Sequence, residues 1–255
     1  MKRNAAEIKF GIEIECMIPS GVSIPVGGYH HGLSINFAPA GWNAQSDCSI
    51  HCPSGYKPVE IVSPPMRGED GLAQVYYMVE MINELGGIVN DSCGLHVHVD
   101  ANSMSESEVM AVRNAFLRYE MAFYGLSGTM ACYRMTHYYS KSSRTASVGE
   151  RYQGINLLNW LEPSPLRRRN NARTIEIRAW AGTTNPDEII TAVYMAVALV
   201  ASGGSETASE IKYARDAARL FVNEVWAAPS NRIIPDESVE ELAAILQQRC
   251  IDSRL

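Results

Sequence analysis

Glu13 and Glu15 stand two residues apart in a stretch where Ile8, Phe10, Ile12 and Ile14 alternate with Lys9, Gly11, Glu13 and Glu15. Alternation with period two marks a half-buried strand over Ile8–Met17, so both carboxylates project from one face, about 6.5–7 Å apart. At an effective dielectric of about 20 they repel by about 2 kcal/mol, which a solvated face tolerates and a buried face does not without a cation. The run Gly94–Asp100 repeats the pattern with other ligand types: His96, His98 and Asp100 share the face opposite Leu95, Val97 and Val99. Two imidazoles and a carboxylate on one face suit metal binding, whereas a single buried histidine is ordinarily a satisfied core residue. In Thr174–Arg178, Glu176 and Arg178 lie opposite Ile175 and Ile177, with a local ion pair as the plain alternative. Glu60 sits alone among apolar and turn residues in Val59–Ser63.

Each of these strands offers an apolar face and a face of Glu, His, Asp or Arg, as a sheet does when it backs onto helices and lines a polar cleft in front. Glu13, Glu15, Glu60 and Glu176 are hard oxygen donors, better matched to Mg²⁺ or Mn²⁺ than to zinc. The basic residues point the same way. Arg134, Lys141, Arg144, Arg151, Arg167, Arg168, Arg169, Arg173 and Arg178 crowd into 134–178, against only Glu150, Glu162 and Glu176. Arginine forks orient and neutralise phosphate oxygens, so phosphate chemistry is the natural expectation, with some of Arg167–Arg169 lying in a solvated loop.

The elements that must position these residues follow from punctuation and periodicity. After the first strand, Pro19–Pro39 reads as a loop, and strand character returns near Gly41–Ile50 and at Pro58–Ser63. Pro64-Pro65 stops that strand, and apolar residues at helical spacing over Glu69–Leu85 end at Gly86-Gly87. Ser105 and Glu108 have capping-box spacing for a helix reaching about Tyr124. Gly125–Val148 is irregular, a candidate flap, followed by possible strand at Tyr152–Asn159 and an alternating strand at Arg173–Trp180. Asn185-Pro186 opens a helix, and helices over 207–227 and 238–250 complete the chain.

The chain has 255 residues, 46% hydrophobic and 20% charged, enough for a real core, and a net charge of -6. That charge argues against general binding to nucleic acid or an anionic membrane, and no apolar stretch is long enough to span a bilayer. Six scattered cysteines and the lack of an apolar segment after Met1-Lys2-Arg3 suggest reduced thiols in a cytoplasmic protein. Oligomeric state is not legible.

Taken in order, Phe10–Glu15 (FGIEIE), Gly41–Ile50 (GWNAQSDCSI), Val59–Pro65 (VEIVSPP), Gly94–Asp100 (GLHVHVD), Arg151–Leu157 (RYQGINL) and Thr174–Arg178 (TIEIR) resemble the amidoligase family of the glutamine synthetase-like carboxylate–amine ligases. The resemblance implies an α+β fold: a curved, mainly antiparallel sheet with a metal and nucleotide cleft on one face and helices on the other. It implies one catalytic domain over 1–255, with a core at 8–180 and a helical part at 185–255. The implied reaction is ATP-dependent and forms an amide or peptide bond through an acyl phosphate. Glu13, His96 and Glu176 would hold the metal at the ATP phosphates, and Glu15 and Glu60 the metal nearer the substrate carboxylate. Arg178 and Arg151 would contact phosphate, with Arg173 and His98 as further nucleotide contacts and Glu60 counted with the catalytic groups. His98 and Asp100 could instead orient ligands or bind substrate. The second metal lacks an obvious third protein ligand, Glu69 or water being the candidates. ATP, Mg²⁺ or Mn²⁺, a small-molecule or peptide carboxylate and an amine are the implied partners, a protein substrate being possible.

Three other readings are weighed at this level. His96-x-His98-x-Asp100 imitates the run of metallo-β-lactamase-like hydrolases, but Ala101 follows, and the only later histidine is His137, leaving a dinuclear zinc site short of ligands. Cys48 and Cys52 with His51 and nearby His30 and His31 lack a partner pair at zinc-finger spacing. A non-catalytic binding protein on the same fold would be expected to have lost some of these ligand types.

Overall fold

A computed structural model describes residues 2–28, 31–137, 140–162, 173–206, 209–234 and 238–255. Seven strands form one sheet among these residues: β1 (Phe10–Pro19), β2 (Leu33–Ser34), β3 (Asn43–Gln45), β4 (Tyr56–Val62), β5 (Gly94–Asp100), β6 (Ile155–Asn156) and β7 (Thr174–Ala181). Their order is β2-β3-β4-β1-β5-β7-β6, and each neighbouring pair is antiparallel. The mixed architecture and antiparallel sheet agree with the expectation. The strand anticipated at 41–50 shrinks to Asn43–Gln45, and the one at 152–159 to Ile155–Asn156, after which the chain turns into the short helix α4 (Leu158–Leu161).

Helix α1 (Gly68–Glu84) stops where Gly86 takes φ +75, a left-handed conformation that glycine adopts without strain. Helix α2 (Glu106–Gly125) opens with the full reciprocal capping box of Ser105 and Glu108. Gly128–Met130 and α3 (Ala131–Thr136) occupy part of the expected flap and place Arg134 in the interior. Helix α5 (Pro186–Ala201) is capped by the Asn185 side chain, which accepts from the Asp187 N–H. It is buried without a break from Thr191 to Ala201 and packs on β5, α1 and α2, as a helix apolar on all sides must. The next helix, expected from 207, begins at Ala214 instead (α6, Ala214–Phe221) and runs into a π turn over Val222–Trp226; Thr207 and Ala208 lie outside the described residues. Helix α7 (Glu240–Asp252) closes the chain.

The inward faces of the strands (Ile12, Ile14, Val59, Ile61, Leu95, Val97, Ile175, Ile177) join these helices in one apolar cluster reaching from Ala5 to Cys250. No helix among the described residues is long and apolar enough to cross a membrane.

Strand register assembles the polar face. Glu15 lies opposite Glu60, Glu13 opposite His96, Gln45 opposite Glu60, His98 opposite Glu176, and Asn156 opposite Glu176. Directly opposed residues share a face, so all of these side chains rise from one side of the sheet. Strict alternation would add Trp180 to that side, two residues beyond Arg178. Between Val97↔Ile177 and Leu95↔Trp180, however, His96 alone faces both Arg178 and Ala179, a bulge in β7. The extra residue leaves Arg178 in the cleft and turns Trp180 inward, where it is buried and stacks on Phe123 of α2 at 5.7 Å between ring centroids.

Candidate metal centre

The polar face of the sheet floors a cavity of about 240 Å³ that includes Glu13, Glu15, Glu60, His96, Glu176 and Arg178. Cross-strand pairing makes the imidazoles bridges between carboxylates. His96 Nδ1 lies 3.2 Å from Glu13 and 3.9 Å from Glu176, while its Nε2 lies 3.7 Å from Glu15. His98 Nε2 lies 3.2 Å from the other Glu13 oxygen and 3.9 Å from Glu176, with Nδ1 3.4 Å from Thr174 Oγ1. Two triads could each hold a metal ion, Glu13–His96–Glu176 and Glu15–Glu60–His96, and within each the potential ligand atoms lie within 4.8 Å of one another.

Backbone and amide donors fix these carboxylates. Glu15 accepts the Gly94 N–H at 2.6 Å, Glu176 accepts the Asn156 amide at 2.6 Å, and Glu60 accepts the Gln45 amide. Arg178 donates to Glu176 at 2.5 Å, and its own carbonyl accepts from Ser140 Oγ and the Arg134 guanidinium. The electrostatic consequences differ across the cleft. Burial opposes ionisation of Glu176, but Arg178 and the imidazoles outweigh it and hold the carboxyl at about 2. Burial likewise opposes the Glu13 charge, yet His98 and His96 bring it well below the usual carboxylate range. Glu60 goes the other way: burial, then Glu13, Glu15 and Asp47, push it up to about 8 despite the Gln45 amide.

Four carboxylates around two imidazoles and one paired arginine fit a divalent cation. The Glu15–Glu60 pair is buried, opposed and like-charged, an arrangement that a cation between the two carboxylates relieves. The donor set is mostly oxygen, as Mg²⁺ or Mn²⁺ requires.

Most sequence candidates meet here, and the rest do not. Arg151 lines the cleft beside Tyr152, its guanidinium 6.0 Å from that ring. His96 lies with Glu15 and Glu60, whereas Glu69 is on the exposed first turn of α1, outside the cleft. The structure does not bring Arg173 into the cleft; it is exposed and lies over the Trp160 ring at 5.4 Å. Asp100 joins neither triad, being held by Arg3 at 3.4 Å and the Asn102 amide at 2.6 Å at the end of β5. Arg167, Arg168, Arg169 and His30 lie outside the described residues, and no described cysteine joins a metal-competent group. Sequence reasoning gave Gln45 and Asn156 no role, and Arg134 only a place in the basic cluster. The first two sit inside quoted motifs, GWNAQSDCSI and RYQGINL, at positions whose facing strands carry Glu60 and Glu176.

The model of a family described as "Putative amidoligase enzyme" matches residues 6–153, more than half of the chain. The chain belongs to the amidoligase family. Among solved structures, this amidoligase is similar to the crystal structure of the complex between prokaryotic ubiquitin-like protein Pup and its ligase PafA. The TM-score is 0.54 at 11% identity, over 97% of this chain and 64% of that chain. That likeness is one of fold, and the amidoligase chain spans less than two thirds of the structure's length. No curated protein matches the sequence.

Proposed function

We propose that this amidoligase uses ATP to join a carboxylate to an amine. The observation that carries the proposal is the pair of triads sharing His96 on one sheet face of an amidoligase-family chain. Glu13, His96 and Glu176 would hold the cation that meets the nucleotide phosphates, and Glu15 and Glu60, completed by water, the one nearer the carboxylate, since a neutral imidazole has one lone pair to give. Bound there, Mg²⁺ or Mn²⁺ supplies charge neutralisation and alignment for phosphoryl transfer. His98 keeps Glu13 ionised and oriented from its far side. Arg178, pinned by Glu176 and by the bonds to its carbonyl, presents positive charge where phosphate oxygens collect, and Arg151 adds a second guanidinium on the cleft wall. The substrate carboxylate attacks the γ-phosphorus, releasing ADP and forming an acyl phosphate; the amine then displaces phosphate to give the amide.

The glutamine synthetase-like form of the fold and a single catalytic domain over 1–255 belong to the same proposal, supported by the apolar cluster running from Ala5 to Cys250. PafA is the ligase of the protein Pup, which supports keeping a protein or peptide carboxylate among the substrates. The hydrolase reading loses support because Asp100 stands outside both triads.

Calorimetric titration with Mg²⁺ and AMPPNP tests the nucleotide site. Binding by the wild type that disappears in the Glu13→Ala, Glu176→Ala double variant is expected; no binding, or undiminished binding by the variant, overturns the proposal. A screen for ADP release over amino acids, polyamines and peptides then identifies the substrates.

A further inference from the structure

A second cavity, of about 230 Å³, opens on the helix side of the sheet, where Leu95 and Trp180 project away from the metal ligands. It is smaller than the pockets that take drug-sized molecules. Val89, Leu95, Leu126, Met130 and the Trp180 ring give it an apolar wall, and none of its lining residues belongs to the metal cleft.

Opposite charges meet in the same cavity. Arg249 of α7 lies 3.3 Å from Glu188 of α5, and its Nε donates to the Leu126 carbonyl at 3.1 Å. A guanidinium has five N–H donors, and those on the two terminal nitrogens of Arg249 bond to no described residue. The group is held in place nonetheless. A Cβ on Gly128, which takes φ +55, would come within 2.7 Å of its Cζ, so the guanidinium rests against that glycine. Glu188 accepts the Thr183 hydroxyl at 2.9 Å and keeps further lone pairs. Two more donors in the wall are unused. Ser127 Oγ accepts the Ala181 N–H and donates to no described residue, and Trp180 Nε1 has no hydrogen-bond partner although the residue is only 2% exposed.

Arg249 and Glu188 sum to zero charge, so a simple anion gains from one and loses to the other, and a simple cation does the same in reverse. A zwitterion gains from both. An α-amino acid carries a carboxylate that fits the free edge of a guanidinium and, one carbon away, an ammonium that fits a carboxylate. An aliphatic side chain on the same carbon takes apolar wall out of water.

We propose that this cavity binds a free apolar α-amino acid, with its carboxylate on Arg249, its ammonium on Glu188 and its side chain against Leu95, Leu126 and Trp180. The site does not depend on the ligase reading, because it stands across the sheet from both triads. Calorimetry with the full chain compares leucine, isoleucine and methionine with three controls: 4-methylpentanoate lacks the ammonium, 3-methylbutylamine lacks the carboxylate, and glutamine has a polar side chain. At least one of the three apolar amino acids should bind, and each control should bind at least about 10-fold more weakly. Arg249→Gln and Glu188→Gln should each lower the affinity about 10- to 100-fold. The Glu13→Ala, Glu176→Ala double variant should bind the amino acid as the wild type does. If Arg249→Gln does not fold, as read by circular dichroism, Arg249→Lys, which keeps the charge without the fork, takes its place and should still weaken binding. The proposal is overturned if none of the three amino acids binds, if a control lacking either charge binds equally well, or if the folded Arg249 and Glu188 variants keep full affinity. Loss of binding in the double variant would place the amino acid in the metal cleft and overturn it too.

Discussion

Replacing Glu60 by glutamine should stabilise the metal-free protein and weaken its hold on divalent cations. Glu60 is 5% exposed and directly opposes Glu15 across β1 and β4. Burial first, and then the neighbouring carboxylates, raise its carboxyl from 4.5 to about 8. The sign comes from comparing the two states. The unfolded chain gives up the proton near pH 4.5 and the folded chain keeps it to about 8, so stability is intact below 4.5 and falls as pH rises between these values. At about 1.4 kcal/mol per pH unit, roughly 3 kcal/mol is gone by pH 7. Glutamine is neutral throughout, nearly isosteric, and can accept the Gln45 amide as the carboxylate does. Its own amide must still be buried, so the recovered stability is about 1–3 kcal/mol, or about 2–4 °C in Tm for each kcal/mol. Thermal melts in EDTA from pH 4 to 9 provide the assay: variant and wild type should coincide near pH 4 and separate, with Glu60→Gln higher, by pH 8. Adding Mn²⁺ should narrow or reverse the gap, because the wild type alone retains the full ligand set for the Glu15 triad. Superimposable curves in EDTA at every pH would refute the electrostatic argument, and equal stabilisation by Mn²⁺ would refute the ligand assignment.

His96→Gln removes a ligand of the Glu13–His96–Glu176 triad and Glu60→Gln one of the Glu15–Glu60 pair, so each should weaken one equivalent of bound Mn²⁺ and the double variant both; Mn²⁺ titration followed by electron paramagnetic resonance counts them. Gly94→Ala places a methyl 2.9 Å from the Arg134 guanidinium and should cost about 1–3 kcal/mol while lowering affinity at the Glu15 triad. Wild-type values in urea melts and metal titrations would argue against that close approach. Trp180→Ala should cost about 3–5 kcal/mol if the bulge turns the ring into the core, and a urea melt showing under about 1 kcal/mol would place it elsewhere. Ser105→Ala removes one side of the capping box and should cost about 0.5–2 kcal/mol, read from the same melts.

The strands of the candidate metal centre were legible because their two faces differ in chemistry: Ile12 and Ile14 against Glu13 and Glu15, Leu95 and Val97 against His96 and His98, Ile175 and Ile177 against Glu176 and Arg178. Caps were legible for the same local reason, and Ser105, Asn185 and Gly86 do what their types predict. Order and register across the sheet were not, since they depend on pairings between segments far apart in sequence. Without register, Gln45 and Asn156 are ordinary polar residues; with it they hold Glu60 and Glu176. Arg134 was legible only as one member of the basic cluster, because short helices carry little periodic signal to show that it turns into the cleft. Arg173 shows the converse: local charge density drew it into the phosphate group, but its place at the start of β7 leaves it over Trp160.

The extra residue in β7 acts as a change of reading frame within one strand. Upstream of it, odd positions serve the core and even positions serve chemistry; at Trp180 the assignment inverts, with no break in the chain. Losing Ala179 would therefore not be a local defect. It would swing the indole into the polar cleft, withdraw its ring from Phe123, and feed α5 from the wrong side of the sheet. Along this strand the spacing between Glu176 and Trp180 is thus as much a part of the site as the side chains themselves.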